Sequence, residues 1–241
     1  MPKSLYTKTY GERRRQAASA AIARARTTIL TNRRYTAPLR TGGQYGPSIR
    51  RRLGELNAID STPATISVNT TGNLVLLNGC ATGADYTDRI GRKIRMKSVQ
   101  FRGFFQPADD STVTNYVRMM IVYDRQTNGN PPTVTEILQS ASSLSSLNLN
   151  NRERFTVVAD KEYVIGRVIN TATQAVSYGL NVHKCKGYRR LNLETQYGGS
   201  TNAVASIATG SLYMLTIGNI ASGGGTDAVL DITLRVRFTE M

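Results

Sequence analysis

The chain has 241 residues, 40% of them hydrophobic, and a formal net charge of +15 at pH 7. It has no apolar run of the roughly 18 residues that a membrane-spanning helix needs, and Arg13–Arg15, Arg24 and Arg26 interrupt any apolar core of a secretory signal. Cys80 and Cys185 form no CxxC pair, which excludes a zinc ribbon; a disulfide between them is the alternative to the expected free, buried thiols.

Residues 1–52 read as a basic arm. Eleven arginines (Arg13, Arg14, Arg15, Arg24, Arg26, Arg33, Arg34, Arg40, Arg50, Arg51 and Arg52) and two lysines (Lys3 and Lys8) stand against one acid, Glu12, a net +12. Residues 53–241 supply the remaining +3, from 18 basic and 15 acidic side chains. Charge segregated this way suits a tail that neutralises a polyanion. Guanidinium grips phosphate in a bidentate fork, and the interleaved Tyr6, Tyr10, Tyr35 and Tyr45 are placed to stack on unpaired bases. A membrane-binding arm would need a broad apolar face, and a solubilising tail would not need so much charge of one sign. The alanines at 17–25 favour helix, but the arginines share no single face, so the arm is expected to be disordered or partly helical, folding on binding. Pro38, Gly42, Gly43, Gly46 and Pro47 make 36–48 a hinge. The expected division is an arm at 1–52 and a folded domain at 53–241.

From there the pattern is that of strands. Ala64–Val68 is a short β-branched run. Lys93–Phe105 alternates, with a parity slip between Met96 and Val99 that predicts a bulge. Asn115–Tyr123 is apolar enough to be buried on both faces. Asp124–Pro132 is a loop, marked by Asn128-Gly129 and Pro131-Pro132. Thr133–Leu147 approximates helical spacing and opens with Thr133 as cap and Glu136 three residues on, which predicts a short inserted helix. Arg154–Ala159, Glu162–Val168, Ala175–Val182, Tyr188–Thr195, Ser211–Asn219 and Ala228–Thr239 read as strands, with Ser222–Thr226 the turn feeding the last. Eight or more strands without αβ alternation predict an all-β, antiparallel sandwich or jelly roll.

Catalytic chemistry finds little footing. His183 is the only histidine, and His183-x-Cys185 offers two ligands where zinc takes three or four. No GxSxG, P-loop or dinucleotide fingerprint is present. Asp109, Asp110 and Glu153 have no fixed pairing, and Asp85 with Asp88 supplies too few oxygens for calcium without a subunit partner. No enzymatic activity, metal or cofactor is expected. Zinc-finger, helix-turn-helix and RNP motifs are missing, so binding is expected to ignore sequence.

Tyr116–Arg125 (YVRMMIVYDR) with its polar loop, Arg152–Val158 (RERFTVV), Lys93–Phe101 (KIRMKSVQF), and Leu212–Met214 with Ile232–Phe238 together resemble the coat proteins of circular Rep-encoding single-stranded DNA viruses, the group of geminiviruses, genomoviruses and circoviruses. The resemblance implies an eight-stranded jelly roll whose copies, commonly sixty (T=1), close into an icosahedral shell. The arms would point inward onto single-stranded DNA, and the arginine clusters would also engage the host nuclear import machinery, giving a protein of the virion and the infected nucleus. Sixty arms of +12 carry about 720 charges, enough for roughly 700 phosphates. The loops 124–132, 106–115 and 198–208 are then candidates for contacts between copies. A small RNA virus coat shares the same layout, and a cellular non-specific nucleic-acid-binding protein is the third reading, disfavoured by a body of only +3. A jelly-roll sugar enzyme would want aromatic-lined carboxylates, and the chain has no Trp.

Overall fold

The strict alternation of Leu230–Phe238 decides the architecture, because it makes a strand with one apolar and one polar face. A computed structural model describes residues 57–108, 113–166, 182–222 and 227–241. In it this strand is β10 (Ala228–Glu240), with Leu230, Ile232, Leu234, Val236 and Phe238 buried in the core. The preceding strands are β1 (Asn57–Ser61), β2 (Ile66–Val68), β3 (Asn73–Leu76), β4 (Lys93–Gln106), β5 (Asn115–Asp124), β6 (Phe155–Ile165), β7 (His183–Tyr197), β8 (Ile207–Thr209) and β9 (Ser211–Gly218). A single-turn helix, α1 (Val134–Ile137), lies between β5 and β6.

The first sheet runs β1-β10-β4-β7-β8, and β2 also pairs with β10; the second runs β3-β9-β5-β6. Every ladder between these strands is antiparallel. β1 and β2 are two pieces of one jelly-roll strand. Asn57 through Ser61 pair with Phe238 through Leu234, and Ile66 through Val68 continue along the same edge of β10 from Leu230 to Ala228, one residue out of step. With three-residue β8 an addition at the far edge, the segments make eight jelly-roll strands in two sheets of four. The chain crosses between sheets so often that its early strands sit beside its late ones, as Greek-key connections require.

The main core fills the space between the sheets, around Phe101, Phe105, Met119, Ile121, Met214, Leu230 and Phe238. A second cluster forms on the outer face of β5 and β9, where Met120, Val122, Leu215 and Ile217 meet Val134, Ile137 and Leu138. That cover explains why the β5 segment is apolar on both faces.

The predicted bulge is present, as a shift between Met96 and Ser98. Several expectations need correction. The helix predicted over Thr133–Leu147 is one turn long. Its capping box is formed, Thr133 Oγ1 accepting from Glu136 N and Glu136 accepting from Thr133 N, but the serines that follow take over the backbone hydrogen bonds. Ser145 Oγ accepts from Ser140 N and Ser142 Oγ from Leu144 N, and Leu144 is 79% exposed. The two strands predicted on either side of Asp160 are one, β6, bulged between Val157 and Ala159. β1, β3 and β8 were not anticipated; each has five residues or fewer. The predicted strand over 175–182 lies outside the described residues except for Val182, as do most of the 106–115 loop's tip and the turn at 222–226.

Two arginines hold the inserted segment to the second sheet. Arg118 donates to both carboxylate oxygens of Asp160, at 2.9 and 2.6 Å, and to the carbonyl of Ser145 at 2.5 Å. Arg154 donates to both oxygens of Asp124, at 3.0 and 2.9 Å, and to Glu136 at 3.1 Å. The Asp124 side chain is fully buried. An unpaired buried charge costs far more than a pair returns, so Arg154→Ala is expected to destabilise the fold by roughly 3–5 kcal/mol in urea unfolding, with Arg154→Lys falling between it and the wild type. A loss within experimental error for Arg154→Ala would show that Asp124 is satisfied without its partner.

Candidate nucleic-acid interface

The eleven arginines expected to bind nucleic acid, Arg13 through Arg52, all lie outside the described residues. What the structure describes is the body to which that arm is joined, and its charge is unevenly placed.

Parity in the first sheet separates core from surface. On β4, Val99, Phe101, Gly103 and Phe105 point inward; Gln100, Arg102 and Phe104 point outward. On β7, Cys185 points inward, while Lys184, Lys186, Tyr188 and Arg190 point outward and are exposed. The register places Phe104 opposite Lys184, Arg102 opposite Lys186, and Gln100 opposite Tyr188. Phe104 is 38% and Tyr188 51% exposed. On the other side of β4, β10 contributes Asp231, Thr233, Arg235 and Arg237 to the same face.

The acids on this face are engaged. Both oxygens of Asp60 accept from Arg235 at 2.6 Å, and that guanidinium holds the Asp60 carboxyl below its ordinary value. Asp231 accepts from Thr65 Oγ1 at 2.8 Å, and Glu194 pairs with Arg95. Arg102, Lys184, Lys186 and Arg190 have no such carboxylate partner on this face among the described residues. A shallow groove of about 520 Å³ opens between Thr62, Arg102, Phe104, Lys184, Asp231 and Thr233. A body charge of only +3 conceals this face, because net charge does not record which side of a strand each residue occupies; the K-x-K-x-Y-x-R spacing of 184–190 was the signal that could have found it.

The candidates for chemistry are not brought together. Among the described residues no group of three His, Cys, Asp or Glu side chains is placed to hold a metal. Asp85 and Asp88 share a hollow with Glu240, whose carboxylate accepts from the backbone N–H groups of Ile90 and Gly91. His183 is exposed at the start of β7 while Cys185 is buried, its thiol accepting from Tyr163 Oη at 3.2 Å. Both cysteines are free. The Asp of the YDR stretch is the buried partner of Arg154, and Tyr123 Oη donates to the carbonyl of Glu194 at 2.6 Å, so this motif anchors the end of β5.

Residues 56–241 match the family described as Satellite tobacco necrosis virus coat protein. The chain is 25% identical over 228 residues to the capsid protein of Satellite tobacco necrosis virus 1, a span of 90% of this chain and 92% of that protein. It is 27% identical over 200 residues to the coat protein of Satellite tobacco necrosis virus 2, covering 80% and 90%, and 24% identical over 184 residues to the coat protein of Maize white line mosaic Satellite virus, covering 74% and 77%. These matches overturn the resemblance to circular single-stranded DNA virus coats. That resemblance rested on strand segments and the YDR stretch, which the structure shows anchoring the end of β5, features a jelly roll needs for its own packing whatever it encloses.

The buried thiols give a direct check on this arrangement. Burial pushes the Cys80 thiol up to about 11 and raises that of Cys185. Against an ordinary value of 9.0, Cys80 carries ~100-fold less thiolate at pH 8. The folded protein is expected to resist Ellman's reagent at that pH and to release two equivalents of thiol in guanidinium. Rapid labelling of either cysteine without denaturant would contradict the packing described.

Proposed function

This chain belongs to the satellite tobacco necrosis virus coat protein family, and from that premise we propose that identical copies of it close into a small icosahedral shell around single-stranded RNA, held by the arginine-rich arm of residues 1–52. It is a viral coat protein of the virion, a structural protein and not an enzyme. The single observation that carries the cargo reading is the segregation of charge: +12 in the arm against +3 in the jelly-roll domain. RNA replaces the DNA expected earlier because the family is one of satellite virus coats rather than circular DNA virus coats. The expected nuclear-import role of the arginine clusters falls with the DNA-virus resemblance, and the clusters are assigned to phosphate alone.

The arm residues Arg13, Arg14, Arg15, Arg24, Arg26, Arg33, Arg34, Arg40, Arg50, Arg51 and Arg52 are the proposed phosphate contacts. A single strand releases roughly 0.7 counterions per phosphate neutralised, so thirteen arm cations acting together give a salt slope approaching about −9. The folded domain at 53–241 supplies the shell, with contacts between copies that are heterologous around its fivefold and threefold axes.

Deleting residues 2–52 is expected to leave a β-rich body that carries far less RNA per subunit, read as a fall in the ratio of absorbance at 260 to 280 nm in purified particles. Particle contents are expected to be sensitive to RNase and resistant to DNase once the shell is opened. Unchanged RNA per subunit after the deletion would remove the arm from this role; DNase-sensitive contents would remove RNA.

A further inference from the structure

We propose that the outward face of β4 and β7 is a second binding surface for single-stranded RNA, one that stacks bases as well as neutralising phosphates. The inference rests on the RNA reading above and adds to the arm a site on the folded domain.

The face combines two features that a merely solvated surface does not need together. Lys184, Lys186, Tyr188 and Arg190 occupy successive outward positions of β7, three cations and one ring, with Arg102 beside Lys186, and none of the four cations is neutralised by a carboxylate among the described residues. Between these cations stand two exposed aromatic rings, Phe104 and Tyr188. Water does not favour an open Phe ring, while a nucleobase does: base–aromatic stacking is indifferent to sequence because every base has a π-face. The same combination of flat sheet, exposed rings and flanking cations is how other sheet surfaces hold unpaired RNA.

The spacing selects single strands. Outward residues on a strand repeat every ~6.6 Å and neighbouring strands lie ~4.8 Å apart. Phe104 and Tyr188 sit on adjacent strands two such rows apart, so their rings are separated by about 14 Å. Stacked neighbours in a duplex rise only ~3.4 Å, and their faces are already covered by each other. The two rings therefore serve two separate bases of an extended, unstacked strand, with Arg102 and Lys186 in the row between them for the intervening phosphates and Lys184 beside the first ring. Asp231, opposite Phe104 in the register and lining the same groove, repels phosphate there and leaves a hydrogen-bond acceptor beside the first ring.

The test uses the full-length chain, held below its assembly concentration, and a fluorescein-labelled 20-nucleotide polypyrimidine RNA in anisotropy titrations across salt. F104S combined with Y188A is expected to weaken binding at least tenfold with an unchanged salt slope, while Y188F keeps wild-type affinity. R102Q/K184Q/K186Q is expected to make the slope shallower by about 2, three phosphates at ~0.7 each. Circular dichroism and thermal melting confirm that each variant is folded, as expected for exposed positions. A parallel variant, R13Q/R14Q/R15Q, separates the two readings. If it weakens binding and the face variants bind like wild type, the second surface is overturned and the arm's role stands. If no variant, arm included, changes affinity or slope, the RNA reading itself falls. Face variants that block shell closure while binding RNA normally would make this face a contact between copies and overturn the proposal.

Discussion

Strand β10 has hydrogen-bonded neighbours on both edges for most of its length, and both come from far earlier in the chain. β1 and β2 line one edge; β4 lines the other from Gln106 to Ile94. The first sheet has no centre until residues 228–240 arrive, and its inward row, Leu230 to Phe238, runs through the main core. Pairings of such long sequence separation fold slowly, because the loop must close before any contact rewards it. Everything else in the body hangs on that closure.

The two sheets treat their outer faces differently. On the second, the chain folds back over its own surface: α1 and Leu138 after it cover Met120, Val122, Leu215 and Ile217, and the segment is fastened by Arg118 through the Ser145 carbonyl and by Arg154 through Glu136. On the first, nothing described covers the outward rows of β4, β7 and β10, and there the cations and open rings collect. One face is spent on stability; the other is the face proposed above to meet RNA. At the end where the sheets approach, Asn78 links them: its side chain donates to Thr195 Oγ1 and the Gly210 carbonyl and accepts from Leu212 N, while its own carbonyl receives Tyr197 Oη. Gly210 sits there at φ +84°, where a Cβ would strike the Glu194 carbonyl, so no other residue fits that turn without strain.

The long strands were legible in the sequence because their burial is one-sided or complete. β10 alternates, β4 slips parity where it bulges, and β5 is apolar throughout because α1 covers it. The capping box announced α1 correctly and then misled about its length, since spacing alone does not register five serines competing for the backbone. Asp160-Lys161 looked like a break in β6, yet Asp160 turns outward to Arg118 and the strand runs on. β1, β3 and β8 are too short to carry a period. The basic arm was legible as composition, but composition does not distinguish DNA from RNA, as both present the same phosphate. The face on β4 and β7 was hidden for the opposite reason: its signal is an alternation within a net charge close to neutral.

The position of β10 also determines what an interrupted chain can do. A product that stops before Ala228 keeps β4 and β7 but leaves β1 and β2 without the only strand they pair with among the described residues, and the core without the inward row of β10. Loss of an edge strand would leave a smaller sheet; loss of a central one leaves none that closes. Completeness is thus checked by the fold itself: a fragment retains a charged tail but not the closed body from which the proposed shell would be built.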